Sequence, residues 1–255
     1  MLSRPWQAKI DPVQKSKNSK IAIGLWMVLN ISLLLIGLRQ ALLVAPTEAT
    51  MGEVQRIFYY HVPSAIAALL FPYVNLLGSL GFLLVRGRNP RRAASFDALA
   101  LAAAEVTVLF TSIGLITGML WAKPAWGIWW TWDERLTTFL LLWLLYVSYL
   151  AVRRLTSDGQ TPTLAAVISI FAAVDVPIVY MSIRWWRTQH PSPVFFGGPD
   201  SGLDPAMKVA FLWNLAAWLS WGAFLIFVRY ALERRRQRAD DLTLQRIVDD
   251  SGRSQ

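Results

Sequence analysis

Apolar positions in this chain fall in six blocks, near residues 21–44, 62–85, 97–121, 136–152, 161–183 and 207–229, separated by short polar stretches. Each block is long enough, or nearly so, to cross roughly 30 Å of hydrocarbon as a helix. The fourth is the shortest, and its helix is expected to reach into its flanks. In lipid only helices and closed barrels satisfy their backbone groups, and continuous apolar runs of this length read as helices. The pattern predicts an all-α integral membrane bundle of six transmembrane helices. Residues 1–20 and 231–255 read as polar basic tails around a six-span domain at 21–230, with partial disorder and room for a short helix over 240–249.

Composition agrees: of 255 residues, 55% are hydrophobic and 16% charged, an apolar fraction above the usual soluble range. The net charge of +9 raises the question of nucleic acid, and its distribution answers against it. Eighteen of the twenty-five Lys and Arg residues lie before the first span, between spans two and three, after span four and beyond span six. With six spans these groups share one side, so the positive-inside rule puts both termini in the cytoplasm. Anionic membrane lipid is their expected contact. The first block is too long for a signal-peptide core and reads as a retained span. The chain has no cysteine, which excludes disulfides, thiolate metal sites and thioether attachment of heme. It has no Gly-x-x-x-x-Gly-Lys run, so any ATP use is expected to come from a partner.

Three loops then face the other side, about 45–61, 122–135 and 184–206, and most of the unusual chemistry collects there. Four tryptophans fall within Trp126-Gly127-Ile128-Trp129-Trp130-Thr131-Trp132, followed directly by Asp133, Glu134 and Arg135. Indoles suit a membrane surface, but four in one loop exceed what anchoring needs and suggest a shelf for a flat apolar ligand. If 126–133 is helical, Trp126, Trp129, Trp130 and Asp133 share one face. The only two histidines, His61 and His190, lie on the same side. Neutral imidazole is a good iron ligand, and two imidazoles from opposite sides make a bis-histidine heme site. Arg56, Arg135, Arg184 and Arg187 are placed to meet heme propionates. Arg56, five residues before His61, is the foremost. Taken singly, each feature also reads as a solvated histidine, an interface anchor or a lipid contact. Together they point to a planar metallo-cofactor.

Inside the bilayer, Glu105 and Asp175 stand out, because intramembrane carboxylates are costly. Each reads either as a functional group or as a protonated acid bonded to a neighbouring helix. Pro177 is expected to kink or loosen span five beside Asp175. Asn75 and Asn214 read as interhelical glue.

The run from Trp126 to Thr137 resembles the tryptophan-rich "WWD" signature of heme-handling membrane proteins of cytochrome c maturation. Six spans, this length and one histidine in each flanking loop resemble the CcmC family, as do the segments Phe58–Ala65 and Ser182–His190. The resemblance covers roughly residues 20–230. It implies heme b, bound non-covalently at the periplasmic face of the bacterial inner membrane and transferred onward. His61 and His190 become axial ligands of the heme iron, and Trp126, Trp129, Trp130, Trp132 and Asp133 the platform. It implies delivery to the heme chaperone CcmE, with CcmD as a small partner and CcmA with CcmB as the ATP-driven unit. A transporter or delivery protein, not an enzyme, is expected. The alternatives are a membrane redox subunit that keeps a bis-histidine heme, and a proton-coupled transporter using Glu105 and Asp175. A heme platform outside the bilayer needs neither carboxylate.

Overall fold

The computed structural model describes residues 12–156, 160–191 and 202–253. They form six helices: α1 (Pro12–Arg39), α2 (Phe58–Val85), α3 (Pro90–Trp126), α4 (Glu134–Leu155), α5 (Thr161–Trp185) and α6 (Pro205–Arg253). Each contains a stretch long and apolar enough to cross a membrane. Among the described residues there is no strand. A π turn, Gln40–Val44, continues α1, and a 3-10 turn, Glu53–Ile57, leads into α2.

The helices outrun the apolar blocks because the flanking polar residues cap them. Asn89 accepts from the Arg92 N–H at 3.0 Å, and Pro90 fills the first turn of α3, a position where its missing N–H costs nothing. The fourth helix does reach into its flanks, with Asp133 as its N-cap. Two differences from the sequence reading are larger. The segment 231–253, expected to be a partly disordered tail, continues α6 without a break. Its Ala, Leu, Glu, Arg and Gln residues are good helix formers, and the span above it has already met the cost of nucleation. Of the amino-terminal tail, 12–20 belong to α1, and residues 1–11 lie outside the described residues.

Small residues set the closest approach. A Cβ on Gly78 in α2 would lie 2.8 Å from the Ala100 backbone nitrogen in α3, so only glycine lets these helices meet there. Asn75 sits beside this contact and joins four helices. Its amide donates to the Ala100 carbonyl at 2.7 Å, and its oxygen accepts from Tyr146 in α4 at 3.3 Å and from Ser169 in α5. Asn214 in α6 donates to the Gly37 carbonyl of α1 at 3.0 Å. Both asparagines are therefore interhelical glue.

Paired charges gather toward one end. Asp97 and Arg153 form a two-stranded bond with both side chains largely buried. Glu105 binds Arg229 through two bonds. Glu105 is thus neither a free carboxylate nor a protonated acid seeking a neighbour, and Arg153 and Arg229 are not simply lipid-facing cations. Asp175 is 4% exposed, and its Oδ2 has no hydrogen-bond partner among the described residues. Helix α5 runs through Pro177 without interruption.

Candidate functional site

A cleft opens at the end of the bundle opposite those ion pairs. Four elements build it: the first turns of α2, the last turns of α3, the loop 127–133 with the start of α4, and the segment after α5. Its lining includes His61, Gly118, Trp126, Trp130, Arg135 and His190. The two imidazole rings stand 6.5 Å apart between centres, with their planes inclined by 39°. A metal bound by imidazole nitrogens at about 2.0 Å on opposite sides separates the ring centres by about 6 Å. The observed spacing fits one metal held between the two rings.

Hydrogen bonding fixes which ring nitrogen is left over. His61 Nδ1 lies 3.0 Å from Thr117 Oγ1. The Thr117 hydroxyl lies 2.6 Å from the Ile113 carbonyl, to which its one proton is donated. It therefore accepts from His61, whose Nδ1 carries the proton. His190 Nδ1 lies 2.9 Å from the Pro191 carbonyl, which can only accept, so it too is the Nδ1–H form. In the neutral form of each ring this leaves the lone pair on Nε2, the state a metal ligand requires. The His190 ring is surrounded by protein although its residue keeps some accessible surface. Burial, and then the Arg135 charge, push its pKa down to about 4, so it is neutral at physiological pH.

The tryptophan-rich segment is not one helical face. Gly127 takes φ +79 and ends α3, a left-handed conformation that glycine adopts without strain. The segment beyond it is irregular as far as Asp133. This turn divides the indoles. Trp126 and Trp130 line the cleft, while Trp129 and Trp132 are 54% and 76% exposed. Trp126 stacks edge-on with Trp121, and Trp130 with Trp132. The indole N–H of Trp130 is buried without an acceptor among the described residues. Asp133 caps α4, accepting from the Leu136 N–H at 2.9 Å, and its other oxygen accepts from the Gln189 N–H at 3.3 Å.

The four arginines separate. Arg135 lines the cleft and donates to the Val179 carbonyl. Arg56 stands outside it, bonded to Glu53 and to the Ala41 and Ala45 carbonyls at 2.7 and 3.1 Å. It ties the entry of α2 to the end of α1. Arg184 packs over the Tyr180 ring at 4.7 Å, and Arg187 is exposed on the segment leading to His190. Sequence reasoning missed Thr117, Gly114 and Gly118. The Gly-x-x-x-Gly spacing at 114–118 marks a face where something approaches closely, but it does not say that the groups are the Phe139 ring at Gly114 and the His61 imidazole at Gly118.

Among the described residues no three or more His, Cys, Asp or Glu side chains cluster as metal ligands. Two imidazoles alone make a poor site for a bare ion. They suffice for a metal whose equatorial positions are already filled by a planar ring, and the indoles offer such a ring an apolar surface. Arg135 supplies a cation for acidic substituents.

The chain is similar to proteins of known family. The sequence profile described as heme exporter protein C matches residues 7–245. Curated relatives named "Heme exporter protein C" include one from Bradyrhizobium diazoefficiens, 37% identical over 71% of this chain and 66% of the relative. Another, from Escherichia coli K12, is 31% identical over 79% of this chain and 81% of the relative. A third, from Haemophilus influenzae, is 32% identical over 84% and 85%.

Proposed function

The chain belongs to the heme exporter protein C family, and from that premise we propose that it handles heme for the maturation of c-type cytochromes. In this reading the loop end of the bundle faces the periplasm, and both termini are cytoplasmic. The cleft takes heme b non-covalently, with His61 and His190 on opposite sides of the iron. Trp126 and Trp130 flank the macrocycle, and Arg135 meets a propionate. Trp129 and Trp132 are left outward, where a periplasmic heme chaperone of the CcmE type would receive the cargo. CcmD, and the ATP-driven unit CcmA with CcmB, are the expected further partners. The protein's part is to bind, orient and release. Reaction chemistry and ATP use belong elsewhere.

One observation carries the reading: the two imidazole rings lie 6.5 Å apart between centres, each with Nδ1 within hydrogen-bond distance of a protein oxygen. The test is the visible spectrum of the purified protein loaded with heme. His61→Ala or His190→Ala should each convert a low-spin spectrum toward high spin, and added imidazole should partly restore it. An unchanged spectrum and heme content in both variants would sink the assignment.

A further inference from the structure

Thr117 lies about two and a half turns before the end of α3 and belongs to no tryptophan, histidine or arginine motif, yet among the described residues its hydroxyl is the side-chain partner of the His61 ring, which also bonds the Gly114 backbone. The arrangement is directional. The Thr117 hydroxyl proton goes to the Ile113 carbonyl at 2.6 Å, so its oxygen faces Nδ1–H as an acceptor. Gly118, the next residue, removes the side chain that would crowd the ring: a Cβ there would sit 3.2 Å from His61 Cε1. One turn of α3 therefore leaves room for the imidazole and selects its protonation form.

We infer that Thr117 is the positioning residue of His61, holding it in the Nδ1–H tautomer so that Nε2 is the nitrogen that binds the heme iron. This rests on His61 being an axial ligand. The hydroxyl relay does two things. It removes the tautomer with the proton on Nε2, which cannot ligate. It also draws on Nδ1–H, which makes Nε2 a stronger donor and favours ferric iron. Loss of the hydroxyl should weaken heme binding and raise the reduction potential together. His190 is held differently, by the carbonyl of its own neighbour Pro191, so no substitution of a side chain can test it in the same way.

The experiment uses the full-length protein in detergent, titrated with heme b, and reads apparent affinity, low-spin fraction and reduction potential. Thr117→Val keeps the side-chain shape and removes the hydroxyl. It should lower affinity at least about tenfold, the usual effect of removing such an outer partner, and move the potential upward. Thr117→Ser should return both toward the parent. If Thr117→Val does not accumulate, Thr117→Ala removes the same hydroxyl and serves instead. His61→Ala is measured alongside. Parent-like affinity and potential in Thr117→Val, with the low-spin spectrum lost in His61→Ala, would overturn the inference and leave the ligand assignment standing. A parent-like spectrum in His61→Ala would overturn both. Weaker binding with an unmoved potential, not rescued by serine, would reduce Thr117 to a packing residue.

Discussion

Asp133 binds the Gln189 backbone N–H at 3.3 Å with one carboxylate oxygen while the other caps α4. The acid that ends the tryptophan run is thereby a strut between that run and the residue next to His190. Asp133→Ala should lose about 1 kcal/mol of helix capping and free the His190 segment, so heme loss should exceed the loss of protein. Asp133→Asn caps a helix about as well and keeps an acceptor for Gln189, so it should stay near the parent. Heme content per protein, compared with thermal unfolding in detergent, separates the two effects. Equal heme retention in both variants would show that the strut does not hold His190.

The indoles should divide by function as they divide in space. Trp126→Ala and Trp130→Ala take away cleft wall and should release heme into buffer or lower its uptake. Trp129→Ala and Trp132→Ala remove exposed rings and should leave heme content unchanged while slowing its passage to the chaperone. A transfer assay with the loaded protein reads both. Parent-like transfer from the Trp129 and Trp132 variants would make those rings interface anchors only.

Sequence and structure part company at identifiable places. The six spans and the two asparagine contacts were legible because membrane-length apolar blocks and intramembrane amides have few alternatives. The convergence of His61 and His190 was suggested by their shared side, but not their spacing, which depends on how α2, α3 and α5 pack. The tryptophan run was misread as one possible helix face because a single residue, Gly127, ends α3 there. Over 231–253 the short helix expected at 240–249 is present, but the disorder expected around it is not: polar composition resembles disorder, whereas a helix entering from the membrane propagates through it. Arg56 looked foremost by its distance along the chain from His61, and its partners proved to be Glu53 and two carbonyls.

That last difference gives a sharp comparison. Arg135 is the cleft's own arginine. A charge-assisted hydrogen bond contributes roughly 1.5–3 kcal/mol, or about ten- to a hundredfold in affinity. Arg135→Gln should weaken heme binding by that order. Arg56→Ala should instead loosen the junction of α1 and α2, lowering thermal stability with a smaller change in affinity per folded protein. Heme titration of both variants decides it, and the reverse ranking would return Arg56 to the propionates.

Glu105 and Asp97 should matter for the bundle rather than for heme. Both are paired: Glu105 with Arg229 and Asp97 with Arg153. Removing one partner of a buried pair strands the other charge, at about 3–5 kcal/mol. Asp97→Asn should therefore lower stability substantially, since both side chains are 12% exposed. Glu105→Gln should act in the same direction and less strongly, because its pair is more open. Replacing Asp97 and Arg153 together by apolar residues of similar volume should recover much of the loss. Proton-coupled transport makes the opposite demand: Glu105→Gln would stop turnover at full protein level, because Gln cannot bind and release a proton. The measurement is cytochrome c yield normalised to membrane protein level. A proportional fall of yield and protein assigns Glu105 to the fold. A collapse of yield with the protein intact and heme still bound would put the membrane interior into the mechanism.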